Sequence, residues 1–166
     1  MILNIVILAL VTLERAAELL LANRNTRRLL AKGAREHASG HYPLIVALHL
    51  LWLVSLWWLA PGRPIDRFWL GLFVLIEIGR IWVLATLASR WTTRIIVLPD
   101  APLVRGGPYR WLNHPNYVVV VAEIAVLPLV FGLWGVALVF SVLNAAVLSI
   151  RIREENRALS HNRSLR

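Results

Sequence analysis

Apolar residues in this chain gather in long runs rather than in short alternating stretches. Five runs approach the roughly 20 residues that a helix needs to cross a bilayer. They cover residues 2–21, 43–59, 68–88, 117–130 and 133–150. The first is interrupted by Glu14, Arg15 and Glu18, and the third by Glu77 and Arg80. The fourth is short and carries Pro128 near its end. Only Phe131 and Gly132 separate it from the fifth, which predicts a tight helical hairpin. The pattern predicts an all-α, polytopic membrane protein of about five transmembrane helices. A single domain over residues 1–166 is expected, with a three-helix part at 1–90 and a motif-rich part at 91–166. No internal repeat or low-complexity tract interrupts it, and the polar last ten or so residues are expected to fray.

Composition sharpens this picture. The chain is 58% hydrophobic and 16% charged, with a mean hydropathy of +0.65, where soluble domains are less apolar and more charged. It has no cysteine, which excludes disulfides and any Cys-ligated zinc or iron–sulfur site. The net charge of +9 does not point to nucleic acid, because the basic residues flank the apolar runs. Fourteen of the 18 Lys and Arg residues fall in residues 24–35, 90–110 and 151–166, against Arg63 and Arg67 on the other side. Five spans put all three basic segments on one side. The positive-inside rule then predicts an N-terminus outside and a C-terminus in the cytoplasm. Residues 1–13 lack a basic leader and a small-residue cleavage site, so no cleavable signal peptide is expected.

Ionisable groups inside a bilayer cost roughly 2.5–3.5 kcal/mol each and hint at function. Glu14 and Glu18 share a helix face. Glu77 and Arg80, three residues apart, are spaced to pair with one another. Glu123 and His49 stand alone in the sequence. Packing pairs between helices explain such groups as well as a site does, and Glu14 and Arg15 are also placed to snorkel towards the headgroups. The roles of these residues stay open.

The loop at 91–117, WTTRIIVLPDAPLVRGGPYRWLNHPNY, is richer. Ile95–Leu98 and Leu103–Val104 are apolar, so part of it is expected to be buried. Pro99, Pro102, Pro108 and Pro115 stiffen it, and Gly106 and Gly107 allow tight turns or close ligand approach. The loop reads as a pre-organised wall of backbone groups at the membrane surface. Pro115 suits a first helical turn. His114 and Tyr117 then flank a helix N-terminus whose amides suit a carboxylate. Taken alone, the string His-Pro-Asn-Tyr equally describes a helix boundary with an interfacial aromatic. Arg151-Ile152-Arg153-Glu154-Glu155-Asn156 closes the fifth run. The arginines fit a helix C-terminus and the positive-inside rule, but the glutamates fit neither. Arg151 and Glu155 share a face and can line one pocket.

GPYRWLNHPNY, an apolar hairpin and then RIREEN with Leu159 resemble the isoprenylcysteine carboxyl methyltransferase family. The resemblance covers at least residues 91–159. Glu14-Arg15, Glu18, Asn25, GAREHASGHYP and His49 resemble a short bacterial branch associated with O-methylation of phenolic lipids such as alkylpyrones and alkylresorcinols. The resemblance implies an integral membrane enzyme using S-adenosyl-L-methionine, with residues 91–166 as its cofactor-binding and catalytic part, formed by the cytoplasmic loop and the hairpin. It implies cofactor contacts from Arg94, from Ala101-Pro102-Leu103-Val104 through the backbone, and from Tyr109, His114, Pro115, Asn116, Tyr117 and Glu155. Arg151 is implied in substrate binding, and Arg151 and Glu155 in catalysis. Two positions depart from the family pattern. The spacing from Leu159 aligns Glu155 and Asn156 where two glutamates are usual, so the acting carboxylate is Glu154 or Glu155. Asn113 stands where a basic residue often precedes the histidine.

The implied reaction is methyl transfer to a lipidic acceptor, an isoprenylcysteine-type carboxylate or an alkylpyrone or alkylresorcinol hydroxyl, at the cytoplasmic membrane face. Such a transfer asks the protein mainly to position donor and acceptor. No metal is expected, since His114 has no companion at ligand spacing. Expected partners are the bilayer and a lipophilic or prenylated substrate, and the oligomeric state is not legible. The alternatives are a small transporter or lipid-binding protein, or a related membrane enzyme of phospholipid-amine methylation or sterol reduction.

Overall fold

A computed structural model describes the backbone of residues 1–37, 40, 42–99, 101–102 and 104–164, and their side chains except at 156 and 158–164. Five helices account for most of it: α1 Ile2–Ala31, α2 Tyr42–Leu59, α3 Arg67–Leu87, α4 Pro115–Val130 and α5 Trp134–Ser164. Among the described residues, three stretches are long and apolar enough to cross a bilayer. They are Tyr42–Leu59, Arg67–Arg90 and Trp134–Glu155, with mean hydropathies of 1.8, 2.0 and 2.0. Pro115–Val130 is a shorter apolar helix. Large apolar side chains face outward along these helices, with Trp58 85% and Leu138 68% exposed. Hydrocarbon, not water, suits such a surface.

The core lies where α1, α2, α3, α4 and α5 meet, around Leu8, Trp52, Leu56, Phe73, Ile124, Leu127 and Phe131. α4 packs between α3 and α5. The predicted hairpin forms: the Leu133 amide donates to the Pro128 carbonyl at 3.0 Å, closing the turn between α4 and α5. At the same end of the bundle, Asn4 donates to the carbonyls of Ala60 and Arg63, both at 2.8 Å. Asp66 caps α3 by accepting from the amides of Phe68 and Trp69.

Two helices run further than their apolar stretches. α1 continues through the basic segment to Ala31 and ends on Gly33, whose φ of +86° only glycine adopts without strain. The Ala34 amide then returns to the Leu29 carbonyl at 3.0 Å. That turn feeds a strand unannounced by the hydrophobic pattern, β1 Arg35–His37, which pairs antiparallel with β2 Ile95–Val97. α5 likewise runs beyond the apolar stretch, so Arg151–Asn156 sits inside a helix rather than at its last turns.

The intramembrane charges pair differently from the sequence expectation. Arg80 turns away from Glu77. Its Nε and Nη2 donate to both carboxylate oxygens of Glu123 on α4, and its Nη1 donates to Glu18 on α1 at 3.0 Å. Arg15 points inward to Glu18 at 2.9 Å and Glu123 at 3.4 Å, rather than snorkelling. Glu123 is therefore not alone. The reason lies on α3: Phe73, Arg80 and Val83 form its buried stripe, while Glu77 lies on the flank with Oε1 buried and unbonded among the described residues. His49 bonds its own helix, Nδ1 lying 2.8 Å from the Ile45 carbonyl.

Removing one member of a buried ion pair leaves an uncompensated charge and costs about 3–5 kcal/mol. Arg80→Met is therefore expected to lower the unfolding temperature of the detergent-solubilised protein sharply. Adding Glu123→Gln to it should recover part of that loss, because Glu18 then remains paired with Arg15.

Candidate functional site

The basic end of the bundle holds a cavity of about 1080 Å³. Its walls come from β2 and its flanks, the loop after it, the start of α4 and one face of α5, with Leu29 of α1 and Leu87 of α3 beside them. Each wall is held by a bond that its sequence explains.

The floor begins where α3 ends. Asn25 of α1, 1% exposed, donates to the carbonyls of Ala88 and Trp91 at 3.0 and 2.9 Å. This binds the chain leaving α3 to the basic extension of α1. Next, Arg90 donates to the Pro102 carbonyl at 2.5 Å and tethers the proline-rich loop. A 3-10 turn over Gly107–Arg110 then presents Tyr109. Gly107 has φ +51°, and a side-chain carbon there would run into Thr86 Oγ1 on α3. The turn can approach α3 this closely only with glycine.

α4 starts as its sequence suggests, with His114 as N-cap and Pro115 in the first turn. The amides of Tyr117 and Val118 already donate to the His114 carbonyl, and proline has no N–H. Asn116 thus holds the remaining amide of that turn. The His114 and Tyr117 rings stack with centroids 5.1 Å apart. From α5, Arg151 donates through Nε to the Tyr117 hydroxyl at 2.8 Å and through Nη1 to the Thr93 carbonyl at 2.7 Å. The Tyr117 hydroxyl donates in turn to Glu155, whose Oε2 lies 3.8 Å from His114 Nδ1. One arginine therefore joins α5, α4 and the strand wall.

Of the residues singled out in the sequence, Arg94, Ala101, Pro102, Val104, Tyr109, His114, Asn116, Tyr117, Arg151 and Glu155 all line this cavity. Pro115 is buried in the helix turn and is not among the lining residues. Leu103 lies outside the described residues. Arg94 lines the cavity, but its Nη1 is bonded to Glu36 of β1 at 3.0 Å and its guanidinium lies 4.9 Å from the Tyr42 ring centroid. The two glutamates separate: Glu155 faces the cavity, whereas Glu154 pairs with exposed Arg157 at 2.7 Å. Sequence reasoning missed Trp91, Leu29 and Leu87 in the lining, and Thr93 behind it. Apolar or small residues at helix ends carry no motif that marks them. Among the described residues, no three His, Asp or Glu side chains gather as for a metal.

The cavity is strongly basic. Arg90, Arg94, Arg105, Arg110 and Arg151 line it with Glu155 as the one acid among its described residues. Burial, and then the negative charge of Glu155, push the Tyr109 phenol up to about 12, so it is a neutral hydrogen-bond donor at physiological pH.

Residues 69–161 match the model of the isoprenylcysteine carboxyl methyltransferase (ICMT) family. The chain is 39% identical, over 158 residues, to the uncharacterized protein YpbQ of Bacillus subtilis (strain 168), covering 92% of this chain and 94% of that one. It is 27% identical, over 144 residues, to an uncharacterized protein of Haemophilus influenzae (strain ATCC 51907 / DSM 11121 / KW20 / Rd), covering 83% and 84%. No solved structure matches the chain.

Gly107→Ala combines a positive φ with a collision and is expected to destabilise by about 1–3 kcal/mol, read as a lower unfolding temperature. Tyr109 ionises at about 12 in the folded protein and near 10 when unfolded. Its contribution is complete below pH 10 and falls away as pH rises to 12. A titration at the phenolate absorbance should therefore show Tyr109→Phe losing signal only above about pH 11.

Proposed function

Since the chain belongs to the isoprenylcysteine carboxyl methyltransferase family, and is an integral membrane methyltransferase of that type, we propose that it transfers a methyl group from S-adenosyl-L-methionine to an anionic oxygen of a lipidic acceptor. The observation that carries the reading is the joining of Tyr109, His114, Tyr117, Arg151 and Glu155 around one cavity at the basic end of the bundle.

The residues present fit such a cofactor. The volume of about 1080 Å³ exceeds the needs of a small ligand alone and leaves room for an acceptor head. Glu155 supplies the carboxylate that an ammonium group requires, and the Asn116 amide at the start of α4 suits a carboxylate. The loop backbone at Ala101 and Val104, which lines the cavity, suits ribose or amino groups, Tyr109 offers a neutral phenol, and His114 offers a ring stacked on Tyr117. When bound, the sulfonium supplies the activated methyl group, so the protein's task is alignment and exclusion of water. Arg151, held by Tyr117 and Thr93, is oriented before any ligand arrives and stabilises negative charge on the acceptor.

The charge of the lining favours an oxygen anion over an amine. Five arginines against one glutamate repel a protonated amine and attract a carboxylate, enolate or phenolate. This speaks for an isoprenylcysteine-type acid or an alkylpyrone or alkylresorcinol hydroxyl, and against phospholipid-amine methylation. An apolar approach lies beside the cavity. Leu112 lines the cavity while 45% exposed, and Trp111 beside it is 69% exposed and packs edge-on against Trp82 of α3. A lipid tail in the bilayer can lie there while its head reaches the arginines. In this reading the basic end faces the cytoplasm of a bacterial inner membrane, α1 to α5 form five spans with the N-terminus outside, and residues 91–166 carry the chemistry within one domain of 1–166.

Calorimetry with S-adenosylhomocysteine on detergent-solubilised protein tests this. The protein is expected to bind, and Glu155→Gln to weaken binding roughly 10- to 100-fold, the worth of a hydrogen bond to a charged group. Glu154→Gln should leave the affinity within about twofold, as for an exposed pair. Mass spectrometry of host lipids with and without the protein should reveal a species differing by one methyl group; equal affinity in Glu155→Gln would sink the assignment.

A further inference from the structure

β1 and the first residue of α2 precede the family-matched region, residues 69–161, yet they reach the cavity wall. Backbone pairing joins Arg35–His37 to Ile95–Val97. Glu36 accepts from Arg94 Nη1 at 3.0 and 3.2 Å. Tyr42 lies under the Arg94 guanidinium, and its hydroxyl is 3.1 Å from Thr93 Oγ1. Thr93 in turn takes Arg151 Nη1 on its carbonyl at 2.7 Å. A contact chain therefore runs from Glu36 through Arg94, Tyr42 and Thr93 to Arg151.

We propose that Glu36 and Tyr42 are positioning residues that brace the β2 wall through Arg94 and Thr93 and so hold Arg151 and the cofactor cavity in shape. Arg94 then acts as a strut, not as a cofactor ligand. The proposal rests on the reading of this cavity as the cofactor site. Two physical arguments carry it. First, the guanidinium is engaged on two sides, by a carboxylate and by an aromatic face, and these together set its direction. An exposed ion pair alone contributes little, but here the strand pairing and the ring beneath it act on the same residue. Second, a sulfonium cofactor is cationic, and the lining already holds five arginines. Glu36 neutralises one of them from outside the wall and lowers the repulsion that the ligand meets.

The test measures S-adenosylhomocysteine affinity and, without ligand, hydrogen exchange of the Ile95–Val97 amides. Glu36→Gln is expected to weaken affinity about fivefold and to speed exchange at β2. Tyr42→Phe, which removes only the hydroxyl, should weaken affinity in the same direction. The losses in Glu36→Gln and Arg94→Gln are expected to be non-additive in the double variant, because the two residues act through one bridge. Unchanged affinity in Glu36→Gln overturns the proposal. So do fully additive losses in that double variant, which would make Arg94 act independently of Glu36, as a direct ligand would. If the wild-type protein does not bind S-adenosylhomocysteine, the functional reading falls. The brace is then decided by exchange alone: faster exchange at Ile95–Val97 in Glu36→Gln sustains it, and unaltered exchange overturns it.

Discussion

The buried guanidinium of Arg80 is the constraint on which the helix arrangement depends. It holds Glu123 of α4 and Glu18 of α1 from a position on α3, with only 2% of the residue exposed. Inside a bilayer, carboxylates with no cation beside them carry a large desolvation cost. The three helices therefore have one rotational setting in which every member of this group is paired. Glu123 lies less than two turns from Tyr117. The setting of α4 that serves Arg80 in the membrane also decides which way Tyr117 faces at the basic end.

From there a second arginine takes over. Arg151 reaches Tyr117 and the Thr93 carbonyl, so α5, α4 and the strand wall meet at one side chain. The two arginines differ in surroundings. Arg80 is matched by carboxylates and packed among helices, whereas Arg151 is held by a hydroxyl and a carbonyl, neither of which cancels its charge. A fixed positive charge beside an open cavity, with the Glu155 carboxylate set one hydroxyl away, is suited to an anionic oxygen. The direct pairing of Arg80 in the core and the hydroxyl-mediated contact of Arg151 at the cavity are thus two uses of one residue type.

Much of the cavity was legible because its residues carry local signals. Pro115 marks a helix start, Gly106 and Gly107 mark a tight approach, and Arg151 and Glu155 stand one helical turn apart. What was not legible depends on partners far along the chain. Glu77 and Arg80 have the spacing of a pair, but spacing does not say which side chain faces the neighbouring helices. Glu123 looked isolated because its partners are 43 and 108 residues away. The two short strands have no periodicity of their own and exist because Arg35–His37 and Ile95–Val97 are brought side by side.

By itself, the sequence determined the helices, because these follow from which residues hydrocarbon tolerates. It also determined that the family's motif lies in residues 91–159, since those residue types are local in the chain. The tertiary structure alone decided the pairings: Arg80 with Glu18 and Glu123, Arg94 with Glu36, and Glu155 rather than Glu154 at the cavity. Long charged side chains reach several partners from one backbone position, and only the packing of distant helices selects among them.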